Sequence, residues 1–312
     1  MSSASFEHLT VLGAEAVDAL SPQPGGLYCD ATLGGGGHAE RILDRASPDG
    51  RLLGVDRDPD ALAAARRRLE RFGDRVMFVH GSFGELPAIL GRLGIELLDG
   101  VLVDVGVSSP QLDRAERGFS FRAAGPLDMR MDPTQGETAR ELCARLSVDE
   151  LADLIRKYGE ERYAGRIARA IKEALEQGGL ATTTELAASI ARVVPTREQG
   201  KDPATRTFQA LRIAVNDELG ELERLLDAAP SLLRAGGRLV VIAFHSLEDG
   251  LVKHRLREQA QEPGVPDDLV EPMGLRRPTM RILTTKPIEP SDIETARNPR
   301  ARSAKLRAAE RR

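Results

Sequence analysis

From Leu27 onward, short apolar runs alternate with helical patterns, the arrangement expected of a parallel sheet flanked by helices. The runs at 27–31, 51–55, 76–79 and 101–105 read as strands one to four. A first crossover helix begins near His38, a second covers 59–71 with a strongly basic outer face, and a third covers 83–93. Strand spacing of roughly 25 residues fits βαβ units. The alternation then stops, and helical patterns follow one another over 137–145, 148–158, 160–177 and 184–194, which reads as an inserted all-α domain. One long helix leads back to the sheet, because Phe208, Leu211, Val215, Leu219, Leu222 and Leu226 recur in steps of three and four. The Leu232–Gly237 stretch predicts a glycine-stopped helix end before a fifth, fully apolar strand at 239–244. Residues 261–277 read as a loop, and 280–285 and 304–308 as antiparallel final strands. The predicted fold is α/β, a doubly wound Rossmann-like sheet divided into 1–114, a helical insertion at 115–204, and 205–312.

The 312 residues suit about two domains, or one large fold with an insertion. With 41% hydrophobic and 29% charged residues the composition is globular. No segment approaches the roughly 20 apolar residues of a membrane span, and 1–8 lacks a signal peptide's apolar run, so no membrane partner and a cytoplasmic location are expected. Cys29 and Cys143 cannot make a disulfide framework, and the five histidines form no metal-spaced pair, so no metal is expected. The net charge of -4 conceals an uneven distribution: 295–312 holds six Arg and one Lys against one Glu, or +6, leaving -10 elsewhere. Such a tail hints at a polyanionic partner; the plainer alternative is a solvated chain end.

The chemistry concentrates at two turns. Asp30-Ala31-Thr32-Leu33-Gly34-Gly35-Gly36-Gly37-His38 follows strand one and opens the first helix, where a doubly wound sheet binds a nucleotide-like ligand. Asp56 ends strand two about twenty residues on, placed to accept ribose hydroxyls. Gly34-x-Gly36-x-x-Ala39 would serve a dinucleotide equally well. Asp30 tips the choice, since its charge repels a pyrophosphate and attracts an ammonium or sulfonium. Phe83 is a candidate wall for an adenine ring, or simply a core residue at a helix start. Strand four ends in Asp104-Val105-Gly106-Val107-Ser108-Ser109-Pro110-Gln111, which puts a carboxylate and two hydroxyls at the carboxyl edge of the sheet.

That stretch, with Leu112–Phe121 and Gly125–Asp132, resembles the ribosomal RNA small subunit methyltransferase H family. The resemblance continues in Tyr158–Arg162, Pro203–Arg212, Phe244–Asp249 and Asn298–Ser303. It implies a class I methyltransferase fold with a helical insertion, acting on the N4 amine of a decoding-centre cytosine in 16S rRNA, with S-adenosyl-L-methionine as donor and S-adenosyl-L-homocysteine as product. The partner would be 16S rRNA within the small ribosomal subunit, with a homodimer left open. Carried over by motif, cofactor contacts fall on Gly36, Gly37, His38, Asp56, Phe83, Asp104 and Gln111, and the reading of the glycine turn adds Asp30 and Gly34. Thr10 stands where the family usually shows Pro.

Asp104, or a backbone carbonyl near Ser108, is the candidate acceptor of an amine hydrogen, with Ser109 and Pro110 completing the catalytic turn. The tetrapeptide lacks the aromatic residue of standard amino-methyltransferases. Phe119 and Phe121 are therefore candidates to contact an extruded base, or else anchors for the loop. Arg206, Gln209 and Asn216 are placed opposite the apolar stripe of the long helix, as candidate RNA contacts or a solvated face. His245 and the Ser246–Asp249 spacing read as a helix start. A dehydrogenase fits the sheet but not Asp30 or the Ser-Ser-Pro turn. Hydrolase and P-loop signatures do not occur, and a non-catalytic RNA-binding protein is the alternative from another class.

Overall fold

A computed structural model describes residues 10–194, 202–265, 273 and 277–312. His8 and Leu9, and most of the loop expected at 261–277, lie outside the described residues. The chain divides into two compact units, 1–106 with 219–312, and 107–218.

The first unit is a seven-stranded sheet in the order β3-β2-β1-β4-β5-β7-β6. Its strands are β1 (Leu27–Asp30), β2 (Arg51–Asp56), β3 (Val76–His80), β4 (Leu98–Asp104), β5 (Leu233–Ala243), β6 (Met280–Ile282) and β7 (Lys305–Arg311). The first five are parallel, and β7 lies antiparallel between β5 and β6. This is the doubly wound, Rossmann-like class I methyltransferase sheet. Val101, Val103, Leu239 and Val241 pack on one face, and Leu102, Val240 and Ile242 on the other. Burial on both faces is why these strands read as unbroken apolar runs. Helices α1 (Gly13–Leu20), α2 (Gly37–Arg45), α3 (Pro59–Arg68) and α4 (Leu86–Leu93) belong to this unit, as do α11 (Glu218–Leu232) from Leu219 on, α12 (Ser246–Ala260) and α13 (Asp292–Arg297).

The second unit holds α5 (Ser109–Asp113), α6 (Ala139–Arg145), α7 (Val148–Gly159), α8 (Ala164–Glu176), α9 (Thr183–Val193) and α10 (Thr205–Asn216). The expected single long helix is two. Asp217 adopts a left-handed backbone with φ 47°, which ends α10 before α11 begins at Glu218. Phe208 and Leu211 pack with Leu151, Ile155 and Ile167 in the second unit, whereas Leu222 and Leu226 pack under the sheet. The units accordingly part at 106/107 and 218/219, not at 114/115 and 204/205. The glycine stop also differs from expectation. The α11 helix ends at Leu232, but 234–237 bulge out of a strand that pairs Leu233 with Leu98 and Arg238 with Gly100, with Gly236 at φ 80°. The basic tail is no loose end: it runs through the end of α13, a 3-10 turn at Pro299–Ser303 and β7, with Arg307 buried against Asp249.

Among the described residues, no helix is long and apolar enough to cross a membrane and no cluster of ligating side chains is placed to hold a metal ion. Both cysteines are free and buried. Burial pushes the Cys143 thiol up to about 12 and the Cys29 thiol well above its ordinary value, so neither offers a thiolate.

Candidate functional site

The glycine turn is stitched across the sheet before it opens. Ala31 N–H donates to Leu102 on β4 and Leu33 N–H to Val55 on β2, both at 2.9 Å. Gly34 and Gly36 take φ of 50° and 80°, a region that only glycine enters freely. A side chain at Gly36 would press on Leu69, and one at Gly37 would overlap Thr10, whereas the space around Gly35 is open. The turn is therefore backed by α3 and Thr10 and clear over Gly35. The N-cap of α2 is Gly36, so no side chain covers its first amides.

Three carboxylates share the carboxyl edge of β1, β2 and β4. Asp30 pairs in register with Gly54 and Leu102, so Asp56 and Asp104 lie two residues further along the strands to either side. Asp56 accepts Gly34 N–H at 2.7 Å and Asp58 N–H at 2.8 Å, one on each oxygen, which leaves a lone pair on each. Burial raises its carboxyl above the usual range against the pull of those bonds. Asp30 is fully buried and its Oδ1 accepts Thr32 N–H at 3.3 Å. Burial pushes its carboxyl up to about 7, the His38 ring and the Thr32 bond oppose that rise, and the Asp104 and Asp56 charges add to it. His38 Nε2 stands 3.5 Å from Asp104 Oδ2, without the alignment of a hydrogen bond. Among the described residues, Asp30 Oδ2, Asp104 Oδ1 and both His38 ring nitrogens are buried without a hydrogen-bond partner.

Buried polar atoms left unpaired are costly and are rare outside sites that a ligand completes. Two orphaned carboxylate oxygens beside an open glycine turn fit a cationic ligand, and S-adenosyl-L-methionine carries both an ammonium and a sulfonium. Asp30, Asp104, Asp56 and the amides of Gly37 and His38 together suit that donor. Phe83 is a core residue, 9% exposed and packed with Leu86 and Ile89, so only its rim can meet an adenine.

Several candidates have other work. Gln111 Oε1 accepts Ser108 N–H at 3.0 Å and Ser108 Oγ accepts Gln111 N–H in return, a capping box that starts α5 at Ser109 with Pro110 in its first turn. Ser108 O receives Leu112 N–H at 3.2 Å. Phe119 is buried in the insertion core, and Phe121 meets Phe208 edge-on with centroids 4.8 Å apart, so both anchor the loop. Gln209 donates to Tyr158 O at 3.0 Å, and Arg206 lies 3.9 Å from Glu161. Asn216 does not lie on a solvated face. It is buried, accepting Met131 N–H and donating to Met129 O, each at 2.8 Å. The helix start near His245 is confirmed one residue early: His245 is itself the cap, with Glu248 closing the box.

Three features carry no sequence signal of this role. Thr32 Oγ1 accepts Asp104 N–H at 2.6 Å and so fixes the end of β4 to the glycine turn. Glu221 on α11 pairs with Arg57 and Ser82, the residues following Asp56 and preceding Phe83, and Gly84 leaves room for its approach. Gly106 sits at φ 115°, and a side-chain carbon there would come into van der Waals contact with the Phe244 ring at 3.6 Å. Only the glycine-rich spelling around Thr32 and Gly106 marks these places.

The MraW methylase family matches residues 5–312. The ribosomal RNA small subunit methyltransferase H of Sorangium cellulosum is 55% identical over 306 residues, 98% of this chain and 91% of that protein. The protein of the same name from Trichlorobacter lovleyi is 52% identical over 307 residues, 98% of each. Among solved structures, a SAM-dependent O-methyltransferase of Thermotoga maritima aligns with 96% of this chain and 63% of its own at 9% identity and a TM-score of 0.41. A match that runs nearly end to end, with relatives identical at more than half of their positions, means that this chain belongs to the MraW methylase family.

Proposed function

We propose that the protein transfers a methyl group from S-adenosyl-L-methionine to the N4 amine of a decoding-centre cytosine in 16S rRNA, in the cytoplasm and on the small ribosomal subunit. The observation that carries the donor site is the pair of orphaned, buried carboxylate oxygens on Asp30 and Asp104 beside the open turn at Gly34 and Gly35. The rRNA substrate is supported by the names of the relatives and by the motif resemblance along the chain. When bound, the donor supplies an electrophilic sulfonium methyl.

The chain's own part is to position and to hold charge. Asp56 would bind the ribose hydroxyls with its remaining lone pairs, and the amides of Gly37 and His38 at the start of α2 would hold the donor's polar end, the Gly36 amide being taken by Leu33 O. Asp30 balances positive charge on the donor. A cytosine N4 lone pair is delocalised into the ring and attacks poorly until its hydrogens are held by an acceptor. Asp104 would serve as that acceptor, stabilising the positive charge that develops on N4 and taking the proton that N4 sheds on methylation, with S-adenosyl-L-homocysteine as the leaving group. Ser108 O is the weaker choice because α5 already uses it. Alignment of amine and methyl supplies the rest of the acceleration.

The test is mass spectrometry of 16S rRNA treated with the purified protein and labelled donor, offered both as free RNA and as small subunits. One labelled methyl on a cytosine amine is expected, with subunits as the better substrate. Label on another base or none on RNA overturns the reading.

A further inference from the structure

The carboxyl edge of the sheet carries a second feature, on the far side of β5 from Asp104. Because β7 runs antiparallel to β5, Leu306 pairs with Ile242, which pairs with Asp104, and Lys305 pairs with Ala243 at the end of β5. At ordinary strand spacing this row sets the start of β7 about 10 Å from Asp104. The 3-10 turn Pro299–Ser303, which leads into β7, thus stands at the same edge as the three carboxylates.

The turn is built to display charge. Asn298 Oδ1 accepts Arg300 N–H at 3.2 Å, Pro299 fixes its own φ, and Ala301 and Ala304 are buried as its anchors. The side chains between them face out: Arg300 and Arg302 are exposed, as is Arg297 at the end of α13. Residues 297–305 hold four cations and no acid. Lys305 comes within 3.7 Å of Asp249, but that carboxylate already takes Arg307 at 2.6 and 3.2 Å. The other basic surface of this unit is spent differently. On α3 and the segment after it, Arg68 and Arg71 pair with Glu40 and Asp44, and Arg66 lies over the Phe78 ring at the opposite edge of the sheet.

We propose that the 297–305 turn grips the phosphates of single-stranded RNA flanking the target base. This rests on the RNA reading above and names the surface that serves it. The test is binding of a labelled single-stranded RNA oligonucleotide by fluorescence anisotropy across a salt series. Each phosphate contact on a single strand contributes about -0.7 to the slope of log affinity against log salt. The double variant Arg302→Ala/Lys305→Ala is expected to flatten the slope by about 1.4 and to weaken binding roughly tenfold near physiological salt. Arg302→Lys/Lys305→Arg should keep the slope, and so should Arg66→Ala/Arg67→Ala. Calorimetric affinity for S-adenosyl-L-homocysteine, unchanged in each variant, confirms that the fold and donor site are intact. An unchanged slope in the alanine pair, or an equal loss in the α3 pair, overturns the proposal while leaving the RNA reading in place. Failure of the unaltered protein to bind RNA at all overturns both.

Discussion

Asp30 is the residue where stability and function pull apart. In the folded chain its carboxyl is pushed up to about 7 from 3.8, by burial first. Between those values the native state holds a proton that the unfolded chain has released. Its contribution to stability is therefore greatest below pH 4, declines as pH rises towards 7, and is flat above. Asp30→Asn removes this penalty, so the melting temperature should fall less between pH 5 and pH 8 than in the unaltered protein, while affinity for S-adenosyl-L-methionine drops. A variant that binds the donor normally would show that Asp30 does not meet its charge. Asp56→Ala should cost donor affinity at least tenfold by calorimetry, since it removes both the ribose acceptor and the Gly34 tether. Asp104→Ala should leave the fold intact and abolish turnover, and a rate within a few-fold of the original would take Asp104 out of the reaction.

At the scale of elements, hydrogen bonds decide what periodicity cannot. Asn216 closes α10 onto the Met129–Met131 backbone with a donor and an acceptor that are both buried. Asn216→Ala strands those backbone groups, so a loss of about 2 to 4 kcal/mol in urea unfolding is expected. Gln209→Ala, which loses one half-buried bond to Tyr158, should cost about 1 kcal/mol or less. The reverse order would mean that the amide of Asn216 is incidental. The same contrast explains what could be read beforehand. Strands β1, β2, β4 and the 239–243 part of β5 announced themselves because both faces are buried, and the glycine turn because its positive φ angles favour glycine. The break at Asp217 was illegible, since the apolar stripe runs through it in step while the backbone turns left-handed. Asn216 read as an outward-facing RNA contact or part of a solvated face for the same reason. The cap at His245 was missed by one residue because Ser246 has the commoner capping side chain.

Over the whole molecule, the two cysteines report on the two units separately, Cys29 under the sheet and Cys143 in the insertion. Both should resist alkylation in the native protein and become labelled in distinct steps as urea is raised, because the units have separate cores and two-state unfolding fails for such chains. Coincident labelling would reveal one cooperative unit. The division itself was visible in the sequence, but its seams were not. A helix pattern does not say whose core it completes, and α10 completes that of the insertion.

β7 comes last of the seven strands in chain order yet lies inside the sheet, between β5 and β6. During synthesis the nascent sheet must wait with a gap in it, its two flanking strands unbridged, until this segment leaves the ribosome. A message truncated before codon 305 would thus yield a chain whose β6 has nothing to pair with and whose Asp249 has lost its buried arginine. Cells should clear that product by proteolysis, not tolerate it as a shortened enzyme.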